Sequence, residues 1–153
     1  SFDGKRWKWT PLPPLPSQQG CFTDICYSAQ QNAFFLVGGA SYNLSMILTQ
    51  NGKNTYKFDL TTMKWMEMPA LPGSSRFNHA VVCHQHHVYV FGGSSYGNSE
   101  LKGTTYKTIV DNWRLNVKTK TWTRIRDTPI KLGNWNTGVV YKNRYHTGRR
   151  RGL

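Results

Sequence analysis

Three tryptophans in register constrain this chain more than any other feature. Trp9 opens WTPLPPLP, Trp65 opens WMEMPALP and Trp122 opens WTRIRDTP, so that 56 residues separate the first pair and 57 the second. Each Trp is followed at +3 by an apolar residue (Leu12, Met68, Ile125) and at +7 by proline (Pro16, Pro72, Pro129). Taken alone, the proline-rich opening resembles a polyproline II docking peptide. Its recurrence makes it the last strand and exit turn of a repeated unit instead.

The register extends upstream of the second and third tryptophans, in YKFDLTTMKW and WRLNVKTKTW. Tyr56 matches Trp113, Phe58 matches Leu115, Asp59 matches Asn116 and Thr62 matches Thr119. The Asp and Asn segments carry side chains that hydrogen-bond their own backbone in a turn. This predicts a strand, a tight turn and a second strand opened by the Trp. Farther upstream, AFFLVGG and HVYVFGG are β-rich apolar runs, each stopped by a diglycine, Gly38–Gly39 and Gly92–Gly93. Consecutive apolar residues suit a strand buried on both faces, and the glycines permit positive φ and close approach of neighbouring chain. Another strand is expected before each run, around Phe22–Ser28 and His79–His84, with turns near Gln30–Asn32 and Gln85–His86. Four strands in about 50 residues is the period of a propeller blade.

The diglycine after an apolar strand, the aromatic opening the third strand and the spaced Trp after FDLTTMK resemble kelch repeats. The resemblance runs from Trp9 to about Tyr141. It implies an all-β fold, a partial β-propeller of kelch-type four-stranded antiparallel blades. It also implies a recognition module: relatives of this kind serve as substrate adaptors of cullin-3 ubiquitin ligases or bind actin. Residues 1–16 are expected to be the last strand of an incomplete preceding blade, 17–72 and 73–129 to be kelch blades, and 130–153 to begin an aborted third blade with a basic tail. A third diglycine is due near position 149, where the chain reads HTGRRRGL. Its apolar strand is expected to be absent. Two blades cannot close a ring of four to eight. The preferred expectation is a fragment of a larger kelch protein, with a truncated product or a subunit that assembles with copies of itself as alternatives.

Charge and cysteine usage narrow the partner. The formal net charge is +13, from 20 Lys and Arg against 7 acids. More than half of the excess sits at the ends, in Lys5, Arg6 and Lys8, and in Lys142, Arg144, Arg149, Arg150 and Arg151. The excess predicts an acidic segment in a protein partner. Nucleic-acid binding through the basic termini and exposed aromatics is the alternative. No apolar run approaches the roughly 20 residues of a membrane span, so no membrane partner is expected. Cys21, Cys26 and Cys83 are an odd set without CxxC spacing. Free thiols and a cytoplasmic setting are expected.

Catalytic signatures are missing. GGSSYGNS lacks the lysine ending of a phosphate-binding loop and the spacing of a dinucleotide fold. There is no nucleophile elbow or HExxH, and acids are few for a paired-carboxylate site. His84, His86 and His87 fall at a turn whose alternation would scatter their rings, with no acid nearby to complete a ligand set. No enzyme, metal, cofactor or small-molecule substrate is expected. The variable segments ASYNLSMILTQNGKN and SSYGNSELKGTTYKTI and the links GSSRFN and LGNWN lie, in propeller geometry, on one face. They hold residue types favoured at protein interfaces. The candidate partner contacts are Tyr42, Asn43, Arg76, Asn78, Tyr96, Asn98, Lys102 and Trp135, with Arg76 and Lys102 as anchors for an acidic segment.

Overall fold

The computed structural model describes residues 1–17, 21–42, 48–96, 106–129 and 136–149. Two four-stranded antiparallel blades form its centre. The first runs in the order β3 (Asp24–Ser28), β4 (Ala33–Val37), β7 (Thr55–Asp59) and β8 (Lys64–Met68). The second repeats it with β9 (Ala80–His84), β10 (His87–Phe91), β13 (Asn112–Asn116) and β14 (Thr121–Ile125). The doubly apolar runs become the second strands β4 and β10, which lie between paired neighbours and are the most buried.

Each tryptophan closes the same hairpin. Asn116 Oδ1 accepts from the backbone N–H groups of Lys118 and Thr119, and Asp59 Oδ1 from those of Thr61 and Thr62. The residue entering the last strand is left-handed in both, with φ of 56° at Met63 and 55° at Lys120. A turn followed by one αL residue matches the twist of the strands it joins. The first segment repeats this turn. Asp3 Oδ1 accepts from the Lys5 and Arg6 N–H groups, and Trp7 has φ 52°. Residues 1–16 therefore hold two strands rather than the single one expected: β1 (Phe2–Asp3) pairs with β2 (Lys8–Trp9).

The recurrence of the tryptophans has a packing cause. Trp65 Nε1 donates to the Pro13 carbonyl (3.0 Å) and Trp122 Nε1 to the Pro69 carbonyl (2.8 Å). Each acceptor stands four residues after the previous Trp, so every outer strand ties itself to the exit turn of the strand before it. Between the blades, Phe35, Val37, Met68, Leu71, Val81, Val88, Val90 and Leu115 form one buried cluster. Asp24 Oδ2 accepts from Val81 N–H (2.8 Å) across the same boundary.

Two expectations fail. Cys26 and Cys83 are bonded to each other, Cα atoms 5.4 Å apart, joining β3 to β9; only Cys21 is free. The odd cysteine count concealed a pair on adjacent first strands, and the cytoplasmic expectation loses the free-thiol argument that supported it. The second strand after Tyr141 is also present: β15 (Asn136–Tyr141) pairs with β16 (Arg144–Arg149) in register. Its backbone pairs despite a polar sequence. Tyr145 supplies the packing, 4.4 Å from Tyr89 and 5.7 Å from Phe91 between ring centroids.

Candidate functional site

The segments read as loops between second and third strands are ribbons. After Gly38–Gly39 the chain forms β5 (Ala40–Tyr42), paired with β6 (Leu48–Asn51). After Gly92–Gly93 it forms β11 (Ser94–Tyr96), paired with β12 (Tyr106–Thr108). Both leave from equivalent blade corners. The incoming link pairs with the foot of each, through Cys21 with Ala40 and Phe77 with Ser94.

The diglycines are required by this crowding. Gly38 has φ +62°, and a Cβ there would stand 2.7 Å from the Arg76 carbonyl oxygen. A Cβ on Gly93 would meet the His79 Cβ at 2.8 Å and the Phe77 carbonyl at 3.0 Å. No L side chain fits either corner while the link lies against it.

Both corners meet at Arg76. Its carbonyl accepts from Gly39 N–H (2.9 Å), and its Nη1 donates to the carbonyls of Gly92 (3.1 Å) and Asp111 (3.0 Å). Its Nη2 binds both Asp111 carboxylate oxygens, at 3.1 and 3.0 Å, and its Nε donates to the Ser74 carbonyl. The side chain is fully buried. Burial pulls the guanidinium pKa down, opposed by the Asp111 charge and its hydrogen bonds. Burial pushes the Asp111 carboxyl up, but the Trp113 N–H and Arg76 outweigh it and leave the carboxyl below its ordinary value. Beside this pair, His79 is completely enclosed and its Nε2 lies 2.8 Å from the Val37 carbonyl. Burial, reinforced by the nearby Arg76 charge, lowers its pKa to about 3. The ring is therefore neutral and donates from Nε2.

The candidate residues divide accordingly. Arg76 is corrected: it is no anchor for a partner, because its side-chain donors are committed to Ser74, Gly92 and Asp111 and it has no exposed surface. Tyr42 and Tyr96 end the rising strands β5 and β11. Asn78 is half-buried, left-handed at φ 53°, and donates its backbone N–H to the Phe22 carbonyl, which gives it a turn role. Asn43, Asn98, Lys102 and Trp135 lie outside the described residues. His79 and Asp111 were missed, since a lone His and a lone Asp near a loop carry no signal until Arg76 is seen between them.

At the opposite end, the histidine turn offers no ligand set. His86 Nδ1 lies 3.3 Å from Gln31 Nε2, His84 meets the Tyr145 ring edge and His87 lies beside Tyr89. Among the described residues no three His, Cys, Asp or Glu side chains gather as metal ligands, and no helix is long and apolar enough to cross a membrane.

The Arg76–His79 link precedes a strand pair that ends in a diglycine, and the family described as Kelch motif matches residues 75–129 across that unit. Residues 75–129 are thus similar to a kelch motif. The solved structure titled "Structure of YjhT" shares the fold, with a TM-score of 0.63 at 21% identity, over 89% of this chain and 35% of that one. The chain thus spans about a third of that structure's length. In all, 134 solved chains match it. A search of curated proteins returned no match. A kelch motif is in general a protein-interaction module, and the all-β, kelch-type blades here are the framework for one.

Proposed function

We propose that the chain is a non-enzymatic kelch module that grips a protein partner with the face from which its two ribbons rise. One observation carries this reading: Arg76 locks the feet of both ribbons together. The last residues of their rising strands, Tyr42 and Tyr96, are then presented as a pair from a rigid base. A site held on paired strands binds with less ordering cost than one on separate loops. Lys53 and Lys107 are exposed at the ribbon feet, while Asp111 is occupied by Arg76. The face is therefore suited to an acidic segment. Substrate adaptor in a ubiquitin ligase and actin binding are the biological roles that kelch resemblance supports, the first ahead of the second.

Replacing residues 43–47 and 97–105 together with Gly-Ser chains of equal length tests the assignment. Partner binding should be lost while the melting temperature stays put, because the eight blade strands and the Arg76 bonds at the ribbon feet keep their sequence. Binding that persists through the replacement contradicts the assignment. Binding that instead disappears on digestion of nucleic acid supports recognition through the basic termini.

A further inference from the structure

The disulfide between the blades lies beside a cavity. At the end away from the diglycine corners, residues 27–30 of the first blade and 83–85 of the second enclose about 310 Å³. Tyr27, Ala29, Gln30 and Gln85 are exposed, so this space opens to solvent. Cys83 lines it and Cys26 does not, although the two are bonded to each other. One sulfur of the pair therefore borders room that a small molecule can enter. We propose that the Cys26–Cys83 bond is a thiol-exchange site: a low-molecular-weight thiol enters this cavity and forms a mixed disulfide on Cys83.

Exchange is an attack of a thiolate on one sulfur with the other as leaving group, and access selects the sulfur attacked. Here the incoming thiolate bonds to Cys83 Sγ and the Cys26–Cys83 bond breaks. Cys26 leaves as a thiolate and takes up the proton that the small thiol released. A second small thiol attacks the small-thiol sulfur of the mixed disulfide, frees Cys83 and departs as the oxidised dimer. Two thiols thus pass two electrons to the protein disulfide. Alternatively the Cys26 thiolate attacks Cys83 Sγ, expels the small thiol and restores the bond.

The boundary survives this opening. Val37, Leu71, Val81 and Val88 share one buried cluster across it. Asp24 Oδ2 accepts from Val81 N–H at 2.8 Å, and the Arg76 carbonyl from Gly39 N–H at 2.9 Å. Gln31 Nε2 stands 3.3 Å from His86 Nδ1, joining the two turns beside the cavity. None of these contacts uses a sulfur. β3 and β9 therefore stay in place, and Cα atoms 5.4 Å apart leave the two thiols where the bond re-forms.

The cavity also sets the class of thiol. Its volume is at the small end of ligand pockets, which suits a thiol of a few residues rather than a protein. No side chain lining it is acidic, so a thiol bearing carboxylates meets no like charge. Gln30 and Gln85 bring amides for its polar groups.

The test uses the 153-residue chain carrying Cys21→Ser, reduced glutathione as the small thiol, and acid quenching before peptide mass analysis. The folded chain should acquire one glutathione, on Cys83, with Cys26 free. Opening should speed up in proportion to glutathione and stay unchanged in urea well below the melting transition. A rate that ceases to depend on glutathione, or that climbs in low urea, assigns opening to unfolding and overturns the proposal. Ala29→Trp, which fills the cavity from an exposed position, should slow exchange about tenfold at an unchanged melting temperature. Exchange as fast as in the parent contradicts entry through the cavity. Opening by a protein dithiol with glutathione inert contradicts the small-thiol assignment. Single-thiol chains then compare the sulfurs. With glutathione disulfide, Cys26→Ser should be modified at Cys83 about tenfold faster than Cys83→Ser is at Cys26, and equal rates would overturn the assignment to Cys83. The earlier readings use the native bond, so they decide the question even where a single-thiol chain fails to fold.

Discussion

At the residue scale, the chain is organised around a buried arginine that a sequence reader places on the surface. A loop arginine between Ser75 and Phe77 has the same local appearance whether it faces solvent or a carboxylate 35 residues away. Only the fold, by bringing Asp111 and Gly92 to it, makes Arg76 structural. Arg76→Ala should thus unfold the face rather than merely weaken partner capture. Leaving Asp111 without its cation at a partly buried site costs about 3 kcal/mol or more, read from denaturant melts. Gly38→Ala should cost about 2–3 kcal/mol, because a left-handed residue would drive its Cβ into the Arg76 carbonyl. His79 adds a pH signature. Its folded pKa of about 3 lies below the unfolded value near 6.5, so only the unfolded state takes up its proton between them. The stability it contributes is full above pH 6.5 and falls by about 1.4 kcal/mol per pH unit toward pH 3. Asp111 adds to the loss only below its own ordinary range. A His79→Gln chain should lose the slope between pH 6 and pH 4, and an unchanged slope would assign it to other groups.

At the element scale, the hairpins were the most legible part of the sequence. Asp59 and Asn116, and Trp65 and Trp122, repeat because each hairpin solves the same turn and the same tie to its neighbour with side chains close in sequence. Ribbons β5–β6 and β11–β12 were read as loops, since their strands are short and polar and their pairing depends on the diglycine corners. Strand β16 was missed for a related reason: RYHTGR has no apolar alternation, and its place is set by pairing with β15 and by Tyr145 against Tyr89. The Cys26–Cys83 bond was illegible because no spacing rule joins cysteines from successive repeats. Two element-level outcomes follow. Trp65→Phe should cost about 1 kcal/mol from the lost bond to Pro13, while keeping the ring's packing on Phe58. Cys26→Ala with Cys83→Ala should lower stability by about 4 kcal/mol, the chain-entropy value for a loop of 57 residues, in a comparison of urea melts without reductant.

At the scale of the whole molecule, blades that share a core and a disulfide act as one stiff support from which the ribbons rise. The excess of base, +13 overall, does not specify where a partner sits. In the proposed reading, the meeting of both ribbon feet at Arg76 supplies that place. Affinity for an acidic protein segment should accordingly fall with salt, while remaining insensitive to neutral substitutions on the outer strands. The most direct measurement of the central claim is site-specific photo-crosslinking. A photoreactive side chain at Tyr42 or Tyr96 should capture the protein partner, and one at Thr61 or Thr119, on the outer hairpin turns, should not. Equal capture from all four positions, or capture from the hairpin turns alone, would contradict the proposal that the ribbon face is where a partner binds.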